Sequence, residues 1–484
     1  MNKPVRRIAI FCGILVLALL LRDNWLQFVQ ADELKTHKNN RRVDIARYSQ
    51  PRGNIIVDGQ AITGSVETGG VDFKYKRTYT DGPMWAPVTG RSSQVYGATQ
   101  LENLYDRVLI GDDDRLFFNR TVDMITGKGK KGGDVITTLN GKAQKAAFEG
   151  LGDKKGAVAA LDPRTGKILA LASTPSYDPS KIAGANDGKE WTSLDKDKNK
   201  PMLNRALRET YPPGSTFKVV TAAAALENGL YKDVDSKTDS PLPWTLPDTV
   251  TPLKNEGDIP CKDASLRVAL QWSCNTVFGK VSADLGNKKM MDEAQKFGFN
   301  NDKLDTPVRA AQSIYPKDNR PQNAMDGIGQ ASNRATPLQM AMVAAAVAND
   351  GKLMEPYMVD KVRAPNLNVI ETHQPKEMSQ PMSRDNARKI QSMMETVVNE
   401  GTGKNGRISG VTVGGKTGTA QHGVANSENP YAWFISYAKG SNGSPVAVAV
   451  VIEGSDTMRD DIAGGALAAP IAKKVMEAVL STSK

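Results

Sequence analysis

Three short motifs hold the residues of this sequence whose types and spacing could do chemistry. Ser215 and Lys218 stand three positions apart, Ser273 and Asn275 flank a cysteine, and Lys416 opens a Lys-Thr-Gly-Thr run. Each motif alone is common by chance. Together and in this order, they predict a serine nucleophile that is activated by lysine rather than by histidine.

The first motif is expected to open a buried helix. Residues 211–214 read Tyr-Pro-Pro-Gly, which cannot be helical, and an apolar run follows at 216–227. Ser215 would then lie at a helix N-terminus, where free N–H groups and the helix dipole favour a developing oxyanion. Burial and a second cation, Lys416, would lower the pKa of Lys218 so that it can accept a proton. The alternative is a serine N-cap followed by an exposed lysine.

The second motif lies within residues 265–278, a segment whose pattern is helical on both sides of the motif. If the helix is interrupted there, a hydroxyl and an amide two residues apart can reach one site. Ser273 would relay a proton to the leaving amine, and Asn275 would bind a substrate amide and hold Lys218. Polar residues in an ordinary helix are the alternative.

The third motif is expected on a strand at 411–419 that faces a cleft. Gly418 removes a side chain where another backbone must approach closely. The Thr417 and Thr419 hydroxyls would bind a carboxylate beside the motif's lysine, and a peptide could pair along the strand edge. The backbone N–H groups of Ser215 and Thr419 would form the oxyanion hole. A glycine-rich strand end without such a role is the alternative.

The histidines and cysteines of the sequence favour neither a histidine-based catalytic triad nor a metal site. Its three histidines are His37, His373 and His422, and only His422 lies near a motif. We interpret His422 as a loop residue or a substrate contact, so a Ser-His-Asp triad is not expected. Histidine and cysteine spacings match no metal site, and neither a metal nor an organic cofactor is expected.

The motifs resemble those of the class B penicillin-binding proteins, which are peptidoglycan transpeptidases, and are most similar to the actinobacterial penicillin-binding protein A type. The resemblance spans nearly everything after residue 50, and its segments are 51–55, 156–162, 166–170, 211–218, 336–341 and 416–423. It implies that Ser215 forms the acyl-enzyme with Lys218 as its base. It implies further that Ser273 and Asn275 assist, and that the third motif holds the donor's terminal carboxylate through Lys416, Thr417 and Thr419.

A basic N-terminus precedes the apolar run 8–21. As a helix that run measures ~21 Å, short of the ~30 Å hydrocarbon core, but extension to Val29 would span it. The positive-inside rule then keeps the N-terminus cytoplasmic and places the rest of the chain outside the cell membrane. A signal peptide cleaved after Ala31 is the alternative, and the family resemblance favours the single-pass anchor.

A chain of 484 residues suggests more than one domain. We predict a cytoplasmic tip and transmembrane anchor at 1–30, a strand-rich pedestal or dimerisation-type domain at 31–133, and a penicillin-binding transpeptidase domain at 134–484. Strands are predicted at 157–162, 167–173, 411–419, 431–438 and 445–452, and helices at 215–228, 264–284, 336–349, 384–399 and 464–481. This predicts an α/β (α+β) fold with helices on both sides of the sheet. The resemblance implies that the fold is like that of the serine β-lactamases and transpeptidases. The loops 174–210 and 235–262 are expected to shape the cleft.

Charge and cysteine usage fit an exported chain. The net charge is +10, with a basic cluster at Lys35, Lys38, Arg41 and Arg42. This cluster indicates either a solvated basic stalk or attraction to anionic lipid or wall polymers, and nucleic acid is not expected for an exported protein. Cys12 lies in the apolar run, and Cys261 and Cys274 are the only other cysteines. An oxidising compartment permits these two to pair. The sequence leaves open whether they do.

The predicted function is a membrane-anchored D,D-transpeptidase that cross-links peptidoglycan stem peptides and is inhibited covalently by β-lactams. A D,D-carboxypeptidase and a serine β-lactamase share its motifs. Glu395 superficially fits the deacylating glutamate of class A β-lactamases, but we expect it to be an exposed residue of a packed helix. A β-lactam-binding sensor and a non-catalytic wall scaffold are alternatives from another class. By resemblance, the expected partner is a polytopic glycosyltransferase of the shape, elongation, division and sporulation family.

Overall fold

The computed structural model describes residues 3–36, 40–116, 131–423, 426–440, 443–453 and 462–482. In these ranges the helices are α1 (Lys3–Asn24), α2 (Ala31–Thr36), α3 (Arg41–Arg47), α4 (Gly82–Thr89), α5 (Gln100–Leu104), α6 (Asp106–Leu109), α7 (Gly141–Leu151), α8 (Gly188–Lys196), α9 (Arg205–Arg208), α10 (Lys218–Glu227), α11 (Leu266–Gln271), α12 (Asn275–Leu285), α13 (Asn287–Lys296), α14 (Arg320–Asp326), α15 (Pro337–Ala348), α16 (Arg384–Glu400), α17 (Gly464–Leu467) and α18 (Ala469–Thr482).

The strands in the same ranges are short in the N-terminal third and long near the C-terminus. They are β1 (Ile55–Val57), β2 (Gln60–Ala61), β3 (Thr63–Glu67), β4 (Tyr75–Tyr79), β5 (Ser92–Ser93), β6 (Gly97–Ala98), β7 (Asp134–Thr137), β8 (Gly156–Leu161), β9 (Ile168–Thr174), β10 (Trp244–Thr245), β11 (Pro252–Leu253), β12 (Leu353–Met354), β13 (Val359–Arg363), β14 (Val369–Thr372), β15 (Glu377–Ser379), β16 (Thr412–Ala420), β17 (Tyr431–Gly440) and β18 (Gly443–Ile452).

A five-stranded antiparallel sheet carries the third motif on its edge strand, in the order β16-β17-β18-β8-β9. Successive side chains of a strand point to opposite faces. In β18, Val448 and Val450 enter one hydrophobic core while Ala449 and Val451 enter another. Because both faces are buried, the strand has a nearly continuous apolar sequence.

Helices cover both faces of this sheet. Helices α7 and α18 pack against one face together with Val448 and Val450, and α15 and α16 pack against the other together with Ala449. The predicted sheet with helices on both sides is confirmed. The five predicted strands and the helices α15 and α16 lie within two residues of their predicted bounds.

Three predicted helices differ in detail. The helix expected from 215 begins as a 3₁₀ turn, Gly214–Phe217, before α10. The helix expected at 464–481 is divided into α17 and α18. The helix expected at 264–284 is divided into α11 and α12 because Ser273 has a left-handed backbone, with φ of 63°. That interruption falls on the second motif.

The segment between the anchor and residue 134 combines short strands with short helices. Strand β1 pairs in parallel with β7, which continues the sheet in the order β14-β13-β7-β1-β2. The two predicted domains therefore share a sheet, and the boundary at 133/134 stays a prediction. Buried Glu102 pairs with buried Arg52 at 2.9 Å and with buried Arg77 at 2.6 Å. Losing one partner of such a group leaves a buried charge unpaired, which is strongly destabilising.

The N-terminal helix α1 runs into a π turn at Trp25–Val29, giving 27 helical residues with exposed apolar side chains. At ~1.5 Å per residue it measures ~40 Å, enough to cross a membrane with some tilt. The described part of the chain contains one helix that meets this criterion.

Candidate active site

The first motif forms a tight turn that other elements hold in place. Ser215 is the second residue of the turn Gly214–Phe217, and it is partly exposed between buried neighbours. The indole Nε1 of Trp433 donates to Pro212 O at 3.1 Å, and the first N–H of the turn donates to Gly329 O at 2.9 Å. The hydroxyl of Ser215 is thus presented on a fixed backbone.

Two glycines let the serine turn and β16 approach each other closely. Gly214 has φ of +54°, and a Cβ there would lie 3.0 Å from Thr419 O. A Cβ on Gly418 would lie 3.1 Å from Pro213 O. This contact sets Ser215 beside Thr419, as the sequence predicted for Gly418. The oxyanion hole formed by the two N–H groups stays a prediction.

Lys218 is fully buried at the start of α10. Its Nζ donates to Ser273 O at 2.7 Å and to Asn275 Oδ1 at 2.6 Å, and it lies 3.2 Å from Ser273 Oγ. Burial, and then the charge of Lys416, lower the pKa of Lys218 well below its usual value. Among the described residues no hydrogen bond joins Nζ to Ser215 Oγ; such contacts often tighten only when substrate binds.

Lys416 completes a chain of polar groups through the second motif. Its buried Nζ donates to Ser273 Oγ at 3.0 Å and to Thr417 O at 2.8 Å. Burial lowers the pKa of Lys416 to about 7. The Ser273 hydroxyl therefore lies between two lysine amines, and its strained φ directs it there. This arrangement can pass a proton between Lys218 and Lys416.

Two cavities flank Ser215, and Thr419 lines both. One, of about 360 Å³, contains Asn275 and His422. The other, of about 390 Å³, contains the second and third motifs at Ser273 and 417–419. All the predicted catalytic and substrate-binding residues except the two buried lysines line these cavities, and both lysines contact Ser273. A larger cavity of about 670 Å³ near the β3–β4 hairpin contains none of them.

Several residues that line the cavities belong to none of the three motifs, among them Thr402, Glu256 and Arg334. Thr402 shares a 2.6 Å hydroxyl contact with Thr417 and lines the second cavity beside Trp272. Glu256 lines both cavities, and its charge raises the pKa of Lys218 and of Lys416 against the effect of their burial. Only the position of Glu256 in a loop expected to shape the cleft could have suggested it.

Two expectations from the sequence are wrong. The loop 174–210 lines neither cavity, because it packs on the pedestal: Trp191 stacks on Tyr96 at 4.3 Å. Glu395 is half-buried rather than exposed, because Lys439 pairs with it at 2.5 Å and Tyr437 packs beside it. The other predicted loop, 235–262, does contribute to the cleft.

The histidines show no catalytic or metal-binding arrangement in the described residues. His422 Nε2 contacts Asn429 O at 2.6 Å, and the ring stacks on Tyr431, so His422 is part of the cavity wall. His37 lies outside the described residues. In the ranges that the structure covers, no group of three or more His, Cys, Asp or Glu side chains could hold a metal ion.

The sulfurs of Cys261 and Cys274 form a disulfide in the structure. Cys274 is the middle residue of the second motif, so the bond ties that motif to the loop carrying Glu256. Cys12, in α1, is free.

The fold and site are those of a serine acyltransferase, with the hydrogen-bonded group Lys218, Ser273 and Lys416 beside the cavities that Ser215 lines. The penicillin binding protein transpeptidase domain matches residues 156–477, and the penicillin binding protein A dimerisation domain matches 52–135. The chain therefore belongs to the penicillin-binding protein transpeptidases, as its motifs predicted.

Individual relatives agree over nearly the whole chain. The chain is 40% identical to the peptidoglycan D,D-transpeptidase PbpA of Mycolicibacterium smegmatis and 39% identical to PbpA of Mycobacterium tuberculosis, over 99% of each chain. Among solved structures, the ceftriaxone acyl-enzyme of penicillin-binding protein A from M. tuberculosis superposes with a TM-score of 0.85 at 39% identity. It covers 90% of this chain and 100% of that one. The penicillin G acyl-enzyme of the same protein gives 0.83 at 39% identity, covering 89% and 100%.

Proposed function

We propose that this protein is a membrane-anchored peptidoglycan D,D-transpeptidase whose covalent intermediate is an ester of Ser215. The observation that carries the assignment of residues is the placement of Ser273 Oγ within hydrogen-bond distance of both Lys218 and Lys416, beside the cavities that contain Ser215. That arrangement provides a base for the nucleophile and a path for its proton.

In the first half of the reaction, Ser215 Oγ attacks the carbonyl carbon of the donor's penultimate D-Ala. Neutral Lys218 accepts the hydroxyl proton, and its lowered pKa increases the fraction of the enzyme in which this amine is neutral. The proton passes through the Ser273 hydroxyl, which contacts both lysines, to the nitrogen of the departing D-Ala. The C–N bond breaks and the acyl-enzyme ester remains.

The third motif holds the donor. Protonated Lys416 and the Thr417 and Thr419 hydroxyls attract its terminal carboxylate. The Ser215 and Thr419 N–H groups would stabilise the oxyanion, a contribution that in other acyl transferases is worth ~10²–10³-fold in rate. A β-lactam enters the same steps, but its leaving group stays attached. Its ester therefore blocks the enzyme.

The second half of the reaction distinguishes a transpeptidase from its rivals. An amine of a second stem peptide attacks the ester in a transpeptidase, whereas water attacks it in a carboxypeptidase or a β-lactamase. Glu395 of α16, which superficially fits the deacylating glutamate of β-lactamases, is paired with Lys439 of β17 and lines neither cavity at Ser215. This arrangement favours a long-lived ester that awaits an amine.

A product assay tests the proposal. Purified enzyme, given a pentapeptide-bearing peptidoglycan precursor polymer and an amine acceptor, is expected to release D-Ala and to form an amide-linked dimer in comparable amounts. Mass spectrometry of the digested product separates the outcomes. Release of D-Ala without dimer, at saturating acceptor, would identify a carboxypeptidase instead.

We propose further that the N-terminus is cytoplasmic, that α1 crosses the membrane once, and that a polytopic glycosyltransferase of the shape, elongation, division and sporulation family supplies the glycan strands. The exposed apolar α1 and the family membership support this, and the anchor and pedestal would be the contact surface. Co-purification of the two proteins in mild detergent is expected. Recovery of this protein alone, from cells expressing both, would count against the pairing.

A further inference from the structure

Glu256 is the one carboxylate among the described residues that line the two cavities at Ser215. Its side chain is exposed. Like Ser215 and Thr419, it lines both cavities. In the described part of the chain it forms no salt bridge or hydrogen bond, although its charge acts on both buried lysines. An unpaired anion at the junction of two cavities is available to a bound cation.

The backbone around Glu256 is fastened to the second motif. Asn275 Nδ2 donates to Lys254 O at 2.9 Å, and Thr276 N donates to Asn255 Oδ1 at 3.1 Å. The disulfide from Cys274 closes the other side of the segment. Asn275 also accepts from Lys218, so one residue contacts both the base and the backbone two positions before Glu256. The backbone that carries the carboxylate is therefore positioned relative to the base.

We propose that Glu256 binds the ammonium group of the acceptor stem peptide, and so selects an amine over water for attack on the Ser215 ester. The inference rests on the transpeptidase function proposed above. The two ends of the reaction then have complementary charges. The donor's carboxylate is attracted to Lys416, while the acceptor's cation is attracted to Glu256, which lines both cavities beside Ser215.

The acceptor arrives as an ammonium ion, releases one proton to solvent and becomes nucleophilic. Its nitrogen lone pair attacks the ester carbon, and a C–N bond forms as the bond from carbon to Ser215 Oγ breaks. The second amine proton passes through Lys218 to Ser215 Oγ. The products are the amide cross-link and the free enzyme. Glu256 takes no proton in this sequence; it raises the local concentration of the amine.

The test uses the full-length enzyme, a thioester of N-benzoyl-D-alanine as donor, and two acceptors. D-Alaninamide carries an ammonium group near neutral pH, whereas hydroxylamine is uncharged. We expect E256Q to lower the ratio of aminolysis to hydrolysis with D-alaninamide by about three- to fivefold, the size of a solvent-accessible ion pair. The ratio with hydroxylamine should stay at the wild-type value, and E256D should recover most of the loss. The matched control is D258N, which changes an exposed carboxylate of the same loop that lines neither cavity.

Other outcomes overturn the inference in recognisable ways. An equal loss with both acceptors would show that Glu256 acts through the lysines rather than on the charged amine. Slower loss of a penicillin label in E256Q would show that Glu256 activates water. Failure of the wild-type enzyme to form any Ser215 ester would instead refute the transpeptidase function itself.

Discussion

Replacing Lys218 with methionine is expected to slow acylation by penicillin about a thousandfold, within the range for loss of a general base. Methionine keeps the length and apolar character of the buried side chain but cannot accept the Ser215 proton. It also leaves Asn275 Oδ1 without the 2.6 Å bond that holds it. The loss should therefore lie in the rate of acylation, with some decrease in stability.

The measurement is the second-order rate constant for labelling by a fluorescent penicillin, with thermal unfolding measured in parallel. Lys288→Met is the control, since that lysine is exposed on α13 and, within the described ranges, its one ion pair is with Asp292. A folded K218M protein that acylates at the control rate would show that another group deprotonates Ser215.

Replacing Lys416 with methionine is expected to slow acylation about a hundredfold, comparable to losing one electrostatic contact to the reacting group. A second effect has a definite sign. The charge of Lys416 lowers the pKa of Lys218, so without it Lys218 keeps its proton to higher pH. The rising limb of the pH profile for acylation should therefore move to higher pH.

Ser273→Ala separates the two effects in the same assay. It removes the hydroxyl between the lysines but keeps the Lys416 charge, so the rate should fall while the rising limb stays in place. If the limb did not move in K416M, the amine of Lys416 would not govern the protonation of Lys218.

Much of the fold and site could be predicted because their determinants are local in sequence. Tyr-Pro-Pro-Gly before Ser215 forces a turn, and an apolar run after it forms α10. Strands that are buried on both faces, such as β18, can be recognised in the sequence as apolar runs. The three motifs then identified the family, because each combines chemistry with a characteristic local structure.

What could not be predicted depends on contacts between distant segments. The helical pattern predicted an exposed Glu395, but β17 places Lys439 next to it. Thr402 belongs to the site only because its hydroxyl meets Thr417. The loop 174–210 has the length of a cleft loop, and its aromatic residues instead find partners on the pedestal at Tyr96. Spacing in the sequence carries no signal for such pairings.

The most direct test of the central claim is covalent labelling with a fluorescent penicillin, comparing the wild-type protein with Ser215→Ala and following the label over time. We expect a label that requires Ser215, maps to its peptide and persists for many minutes, because the leaving group of a β-lactam stays attached and its ester blocks the enzyme. Rapid loss of label would identify a β-lactamase. A folded wild-type protein that takes no label, or an S215A variant that labels equally, would contradict the assignment of Ser215 as the nucleophile.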